Sequence, residues 1–451
     1  MRILSVGAGY VGATTTAVMA KHNPDHYFVV VDIDRQRIHE WNSDHLPFYE
    51  PGLADIVREI KDRNLMFSAD VRGEIGMADI IFISVDTPTK AEGIGAGYAC
   101  DTSKVEAVAR QINKFASGHT IVVEKTTVPV GTCRMLHAVL EDIDRKVFTV
   151  LSNPEFLAEG TAIDNLENPD RVLIGGNGSF NCNDAQTLLA SLYLKWVPAD
   201  RVIQTDIWTS ELSKLAANAF LAQRVSSINS LAEVCEHTGA RIDELAGAIG
   251  TDPRIGPNFL KASLGFGGSC FRKDILSLVY IARSRGLTEV ADYWEAVIKM
   301  NEHQQDRLVR RLINQLFGTV KDKKIAVFGF TFKANTGDIR ESPSARLCNL
   351  LVEEGADVRI TDPRVPRNTD LGRTAANINI TDHCHLLECA VGAHAIIIAT
   401  EWPEYTQLPW HTIKDSMARP AWIFDGRNLL DPTRMRAAGF HYASIGDSSE
   451  F

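Results

Sequence analysis

The first twelve residues constrain the fold more than any other stretch. The apolar run Arg2–Val6 reads as a buried strand and leads directly into Gly7-Ala8-Gly9-Tyr10-Val11-Gly12, after which Val11–Lys21 reads as a helix. Strand, glycine turn and helix in that order open a nucleotide-binding βαβ unit. The first glycine permits the tight turn, the second lets backbone approach a pyrophosphate, and the third lets helix and strand pack closely. The pyrophosphate would rest on the helix N-terminus, where free N–H groups point at it. Asp32 ends the next strand, twenty residues after Gly12. An acid there accepts hydrogen bonds from ribose hydroxyls and repels a 2′-phosphate, so NAD is expected rather than NADP. An ordinary glycine-rich turn is the plain alternative, and the strand before it and the acid after it argue against that.

Alternation continues beyond this unit. Tyr27–Val31, Ile80–Val85, Thr120–Val123 and Val147–Leu151 read as further buried strands, with a helix at Ser103–Phe115 between them. Such alternation argues for a parallel sheet with helices on both faces. Asp86-Thr87-Pro88-Thr89 and Thr126-Thr127-Val128-Pro129 each follow a strand, at the carboxyl edge where open α/β sheets bind ligands. Turn chemistry explains Thr and Pro there equally well. Residues 1–205 are the expected first domain. In 206–320 the rhythm becomes helical, with Leu212, Leu215, Ala216, Ala219 and Phe220 on one face and Val290–Leu316 as a second long helix, broken by Gly265-Phe-Gly-Gly268. In 321–451 alternation resumes, with strands at Lys324–Phe328, Asp357–Thr361, Ala395–Ala399 and Trp422–Phe424, and a helix Ser344–Glu354 closed by Gly355. Leu4…Gly7…Asp32 has an echo in Val327…Gly329…Asp362. The expected fold class is α/β, with two Rossmann-like doubly wound domains joined by a central helical region. The tail Gly446–Phe451 is expected to be loose.

Composition removes several classes of function. The 451 residues carry 47 Lys plus Arg against 57 Asp plus Glu, a formal net charge of −10. That balance leaves no electrostatic footprint for nucleic acid or an anionic membrane, so neither is an expected partner. A phosphate ligand would be held by a few placed cations and helix N-termini. The eight cysteines are scattered without a C-x-x-C pair, which fits a reducing compartment. The strand at the N-terminus leaves no room for a signal peptide, and runs such as Ala395 to Thr400 fall far short of a ~20-residue membrane span. A cytoplasmic protein is expected. His383-Cys384-His385, with Asp382 as a possible N-cap, offers no metal site, because neighbours on a helix face different directions and no H-E-x-x-H occurs.

The segment Lys261-Ala-Ser-Leu-Gly265-Phe266-Gly267-Gly268-Ser269-Cys270-Phe-Arg272-Lys273-Asp274 carries the most chemistry. Its glycines free the backbone for close approach to a ligand. Cys270 begins a helix, where the dipole with Arg272 and Lys273 would favour a thiolate, and Asp274 lies one turn on, on the same face. Nucleophile and carboxylate together suit covalent catalysis with proton transfer. A buried, inert cysteine is the competing reading. Lys214 and Asn218 form a second same-face pair, either polarising a substrate oxygen or consisting of a snorkelling lysine beside a capping amide. Asn153-Pro-Glu155-Phe156-Leu157-Ala-Glu159-Gly160 sets two carboxylates in a loop after a strand.

These stretches, together with Leu46-Pro-Phe-Tyr-Glu-Pro-Gly52, Glu124–Pro129, Glu211–Arg224, Phe259–Asp274, Gly329-Phe-Thr-Phe-Lys333 and Phe424-Asp-Gly-Arg427, resemble the UDP-glucose/GDP-mannose dehydrogenase family over nearly the whole chain, its eukaryotic members most. One position departs: Asp86 stands where close relatives carry Asn. The resemblance implies oxidation of the C6 alcohol of UDP-glucose to a carboxylate, with two NAD per substrate, through a thiohemiacetal and a thioester. It implies that Cys270 attacks the aldehyde, that Lys214 stabilises oxyanion charge with Asn218 assisting, and that Asp274 binds or activates water. Glu155 is then the other acid–base group, with Thr127 positioning water. NAD contacts would come from Gly7, Gly9, Gly12, Asp32, Arg37, Val85, Thr87, Thr89, Thr127, Glu159, Lys273 and Arg340. The UDP-sugar would meet Phe332, Lys333 and Arg427 from the last domain, and Glu155, Phe156, Leu157, Phe259, Lys261, Phe266 and Gly267, with Arg254 reaching a neighbouring subunit's substrate. A homo-oligomer, a dimer or a hexamer built from dimers, is implied. The alternatives are another nucleotide sugar such as GDP-mannose, a two-electron 3-hydroxyacid-type enzyme and a silent NAD-binding scaffold. The joint presence of Cys270, Lys214 and Asp274 speaks against the scaffold.

Overall fold

The computed structural model describes residues 1–141, 147–178, 180–365, 369, 378–381 and 383–447. The chain divides into two compact units, Met1–Ala217 with Leu276–Leu287, and Asn218–Ile275 with Thr288–Phe451.

The first unit holds an eight-stranded sheet of order β3-β2-β1-β4-β5-β6-β7-β8. The strands are β1 Arg2–Val6, β2 Tyr27–Val31, β3 Leu65–Ser68, β4 Ile80–Ile83, β5 Thr120–Glu124, β6 Phe148–Ser152, β7 Val172–Gly176 and β8 Val202–Asp206. β1 to β6 are parallel in the doubly wound order. Their side chains alternate between two cores, which is why they read as unbroken apolar runs. Ile3, Phe28, Val30, Ile80 and Phe82 pack on one face, and Leu4, Val29, Val31, Ile81 and Ile83 on the other.

The sheet then departs from the all-parallel expectation. β7 meets β6 antiparallel through the single pair Ser152↔Gly175, and β8 runs parallel to β7. β3, β7 and β8 were not foreseen, for identifiable reasons. β3 has four residues, β7 ends in two glycines, and β8 is a largely exposed edge of sequence VIQTD with no apolar run. A Cβ at Gly175 would lie 2.5 Å from the Ser210 Cβ, so the glycine admits the start of the long helix Ile207–Thr238. Ser210 Oγ donates to Ser152 Oγ at 2.9 Å across that contact.

The second unit holds a six-stranded, all-parallel sheet of order β11-β10-β9-β12-β13-β14. Its strands are β9 Lys324–Phe328, β10 Asp357–Thr361, β11 Ile378–Ile380, β12 Ala395–Ile398, β13 Trp422–Asp425 and β14 His441–Ser444. The short β11 and β14 were likewise missed. Ile325 and Val327 face one core, Ala326 and Phe328 the other. The helix Pro343–Glu353 is capped by Ser342, with Gly355 at φ +83° two residues past its end. The helix Thr288–Gln315 packs beside it. Of the sequence readings, Asp382, the Cys384 side chain and the end of the tail, 448–451, lie outside the described residues. Among those described, no cluster of His, Cys, Asp or Glu is arranged to hold a metal ion, and no helix is long and apolar enough to cross a membrane.

Candidate active site

In the first unit the turn after β1 separates its three glycines by what each must avoid. Gly7 sits at φ +114°, and a Cβ there would lie 2.3 Å from the Ser84 carbonyl oxygen. At Gly12 a Cβ would lie 2.1 Å from the Gly7 oxygen. Both glycines are therefore required by the protein's own packing. Gly9 is different: it caps the helix Tyr10–His22 at φ −80°, and its Cβ would meet nothing within 4 Å. Nothing internal demands glycine there, and the open space lies at the N–H groups of a helix start. The turn fits a pyrophosphate. Asp32 closes the cradle, accepting from Ala8 N at 2.9 Å and Asp34 N at 2.9 Å, with the Arg37 guanidinium 3.4 Å away.

The loops after β4 and β5 are tied to each other. Thr87 Oγ1 donates to the Thr127 carbonyl at 2.9 Å, and Thr126 Oγ1 reaches the carbonyls of Ile83 and Val85, each at 3.1 Å. Thr87 is buried, while Val85, Thr89 and Thr127 are half-buried beside it. Asp86 points out to Lys104 at 3.3 Å.

The loop after β6 carries Glu155, whose Oε1 lies 3.2 Å from Lys214 Nζ. Both side chains are about 5% exposed, and Glu155 Oε2 has no hydrogen-bond partner among the described residues. The Phe156 ring lies under the Arg171 guanidinium at 3.8 Å and within 5.6 Å of Lys214. Leu157 and Glu159 follow, half-buried. A second buried cation stands nearby: Lys125 donates to Asn153 Oδ1 at 3.1 Å and Tyr193 OH at 3.3 Å. Burial pushes its ammonium down to about 8, against the opposing pull of Glu155 and Glu124. Sequence reasoning passed over Lys125, although it lies inside a stretch matched to the family.

In the second unit Cys270 stands at the start of the helix Phe271–Ser284, its carbonyl accepting from Asp274 N at 2.9 Å and its sulfur 3.5 Å from Ser269 Oγ. The neighbouring cations are engaged by carboxylates. Arg272 pairs with Glu302 at 2.7 Å, and Lys273 Nζ lies 2.8 Å from Asp274 Oδ1. Asp274 is fully buried. Its Oδ2 accepts from Asn218 Nδ2 at 2.5 Å, while Oδ1, despite the nearby ammonium, receives no aligned hydrogen bond. A buried carboxylate oxygen with spare capacity suits a water or a substrate hydroxyl.

The backbone before Cys270 is held by buried amides that sequence reasoning did not identify. Asn301 grips Phe266 twice, accepting from its N–H at 2.9 Å and donating to its carbonyl at 3.0 Å. Asn229 accepts from Ser263 N and Gln304 donates to Ser263 O, each at 2.8 Å. A Cβ at Gly267 would lie 2.4 Å from the Glu341 oxygen, and one at Gly268 would lie 3.0 Å from the Phe332 ring. These glycines seat the segment against the turn after β9. Arg427 is buried there, donating to the carbonyls of Ala399 at 2.7 Å and Phe332 at 2.9 Å and facing Glu401 at 3.2 Å. Lys333 follows Phe332, half-buried. Arg340, which pairs with Asp338 at 2.6 Å, offers its carbonyl to Gly268 N at 3.0 Å. Phe259, at φ +61°, and Lys261 are exposed. Arg254 is largely exposed and pairs with Asp252 on a loop that Arg224 holds by three carbonyls, those of Ile255, Gly256 and Asn258.

Three family models match the chain in order. They are the NAD binding domain of the UDP-glucose/GDP-mannose dehydrogenase family over residues 1–197, its central domain over 208–303 and its UDP binding domain over 326–432. The chain is 50% identical to the UDP-glucose 6-dehydrogenase of Caenorhabditis elegans, over 100% of this chain and 96% of that one. It is 49% identical to UDP-glucose 6-dehydrogenase 3 of Oryza sativa subsp. japonica, over 99% and 97%. Among solved structures, a UDP-glucose dehydrogenase from the hyperthermophilic archaeon Pyrobaculum islandicum superposes with a TM-score of 0.86 at 30% identity, covering 99% of this chain and 98% of that one. The glycine turn that fits a pyrophosphate is thus the opening of an NAD-binding domain, and the chain belongs to the UDP-glucose/GDP-mannose dehydrogenase family of NAD-dependent enzymes.

Proposed function

We propose that this chain catalyses the four-electron oxidation of UDP-glucose to UDP-glucuronate, with Cys270 as the nucleophile. The observation that carries the reading is Cys270 at a helix start with the buried, under-bonded Asp274 one turn on. NAD, held by its pyrophosphate on the glycine turn, would supply the hydride acceptor, two being needed per sugar. The residues of the chain do the rest. The C6 alcohol first loses a hydride and, to Glu155 or Asp274, a proton, which leaves an aldehyde. The aldehyde carbon is a poor hydride donor until a nucleophile adds to it, and the Cys270 sulfur adds to give a thiohemiacetal. The alkoxide oxygen formed is stabilised by the Lys214 ammonium, with the Asn218 amide assisting. After the second oxidation Cys270 carries a thioester. Water held at Asp274 opens it, and Asp274 or Glu155 takes the proton while the thiol is regenerated. Phe332, Lys333 and Arg427 are assigned to the UDP moiety, with Phe259, Lys261, Phe266 and Gly267.

The spans of the three family matches support domain limits near 205 and 320. A homo-oligomer is supported by the exposed Trp208, Leu212, Phe220, Leu231 and Val234 of one helix. At 100° per residue these fall within about 140° of arc. The seven described cysteines are free thiols, in keeping with the cytoplasm. The test is stoichiometry. Two NADH should form per UDP-glucose, with no aldehyde trapped by hydroxylamine. One NADH per sugar, or no turnover, would sink the proposal.

A further inference from the structure

The motif Leu46-Pro-Phe-Tyr-Glu-Pro-Gly52 has so far received no role. In the structure its Glu50 is buried, 4% exposed, although it belongs to a loop. Its carboxylate gathers three donors from two other segments. Oε1 accepts from Ala162 N at 2.6 Å, and Oε2 accepts from Gly160 N at 2.7 Å and from the Tyr10 hydroxyl. The Tyr10 oxygen in turn accepts from Gly160 N at 3.2 Å. Burial and the adjoining carboxylate push the Tyr10 phenol up, so it remains a donor. The rest of the motif supports this arrangement. Phe48 lies against the Tyr10 ring at 4.9 Å, and Gly52, at φ +80°, turns the chain into the helix Leu53–Ile60 beside Ile163.

The two segments joined are the ones the reaction must bring into register. Tyr10 directly follows Gly9, the glycine whose Cβ direction is open. Gly160 closes the loop Asn153–Gly160, which carries Glu155 and Glu159. A purely structural anchor for that loop could sit on any part of the sheet. This one ends on the first residue of the helix that receives the pyrophosphate. We propose that Glu50 is a positioning residue that couples occupancy of the NAD site, through the Tyr10 hydroxyl, to the order of the loop carrying Glu155 and Glu159. The proposal deepens the function proposed above and takes from it the role of that loop.

The test uses the full-length enzyme with NADH alone, so it does not depend on which sugar is the substrate. Tyr10→Phe deletes only the hydroxyl. Glu50→Gln keeps the shape but must turn its amide N–H₂ toward a backbone N–H. Amide hydrogen exchange is followed over residues 155–164, with NADH saturation verified by calorimetry. In the wild type, saturating NADH should slow exchange about tenfold or more, within the 5- to 150-fold typical of coupled sites. In Tyr10→Phe the slowing should fall below about threefold with NADH still bound. Glu50→Gln, folded by its melting curve, should exchange fast with or without NADH. Undiminished slowing in Tyr10→Phe, or none in the wild type, overturns the coupling whatever the sugar panel shows. Loss of the two-NADH stoichiometry overturns the substrate assignment while leaving this result intact.

Discussion

The three glycines of the first turn make a prediction that separates folding from binding. Gly9→Ala places a methyl group in open space at φ −80°, an ordinary conformation for alanine. Alanine is a poorer N-cap than glycine by about 1 kcal/mol. It also restricts the unfolded chain, which returns about 0.4–1 kcal/mol. The two nearly cancel, and the melting temperature should stay within about 3 °C of wild type. Binding fares differently, because the methyl stands where a pyrophosphate must approach the helix N–H groups. Each charge-assisted hydrogen bond lost costs about 1.5–3 kcal/mol. Two such bonds raise the Kd for NAD by about 100-fold or more. Gly12→Ala reverses the pattern. Its Cβ would lie 2.1 Å from the Gly7 oxygen and 2.9 Å from the Ser84 Cβ, so backbone must move, at about 3 kcal/mol or more. Calorimetric titration with NAD and a melting curve on each variant measure both quantities. A Gly9→Ala protein that binds NAD within about threefold of wild type would show that the open direction at Gly9 is not the pyrophosphate side.

Two further outcomes are expected. Cys270→Ser should stop net turnover and leave a covalent adduct visible by intact mass, because an oxygen ester releases acid less readily than a thioester; unimpaired steady-state turnover would refute the thiol's role. Lys125→Met should gain stability relative to wild type below pH 8, an advantage that shrinks as pH rises from about 8 to about 10.4. The sign follows from proton counting: burial lowers the folded-state value, so across that window the unfolded chain holds a proton the folded one has released, and rising pH stabilises the wild type. The change is of the order of 3 kcal/mol, read as the difference in unfolding free energy between the two proteins against pH. A pH-independent difference would remove the charged-lysine cost from the account.

The legible parts of the chain were those where one local cause suffices. Strands buried on both faces, such as β1, β2 and β9, announce themselves as apolar runs, and the helix Pro343–Glu353 by the serine before it and the glycine beyond its end. What stayed hidden depends on partners distant in sequence. β8 is an exposed edge, and its place is set by β7 rather than by its own residues. Asn301 and Gln304 look like ordinary polar residues of a long helix until the backbone of Ser263 and Phe266 is laid against them. The thiolate argument from Arg272 and Lys273 was local as well, and the structure answers it with Glu302 and Asp274.

The echo between the two sheets shows how one turn serves two ends. Gly7 N donates to Val31 O and Gly329 N to Thr361 O, each at 2.8 Å, and the next N–H in each turn goes to the acid that follows the neighbouring strand. There the likeness stops. Asp32 is half-buried and its two oxygens take three donors, Ala8 N, Asp34 N and Arg37 Nη1, which leaves acceptor capacity that a ribose can use. Asp362 is 1% exposed, and its Oδ2 takes Phe330 N, Thr331 N, Thr331 Oγ1 and Trp402 Nε1. Its Oδ1 takes Arg364 N at 2.8 Å, so both oxygens are engaged, and at 1% exposure the acid is closed to a sugar hydroxyl. Burial of the acid thus sets the second turn apart from a dinucleotide turn, as does Thr331 in the place that Gly9 holds in the first. Three residues after its glycine each turn carries an aromatic ring, Tyr10 in the first and Phe332 in the second, but the next position is Val11 in one and the cation Lys333 in the other.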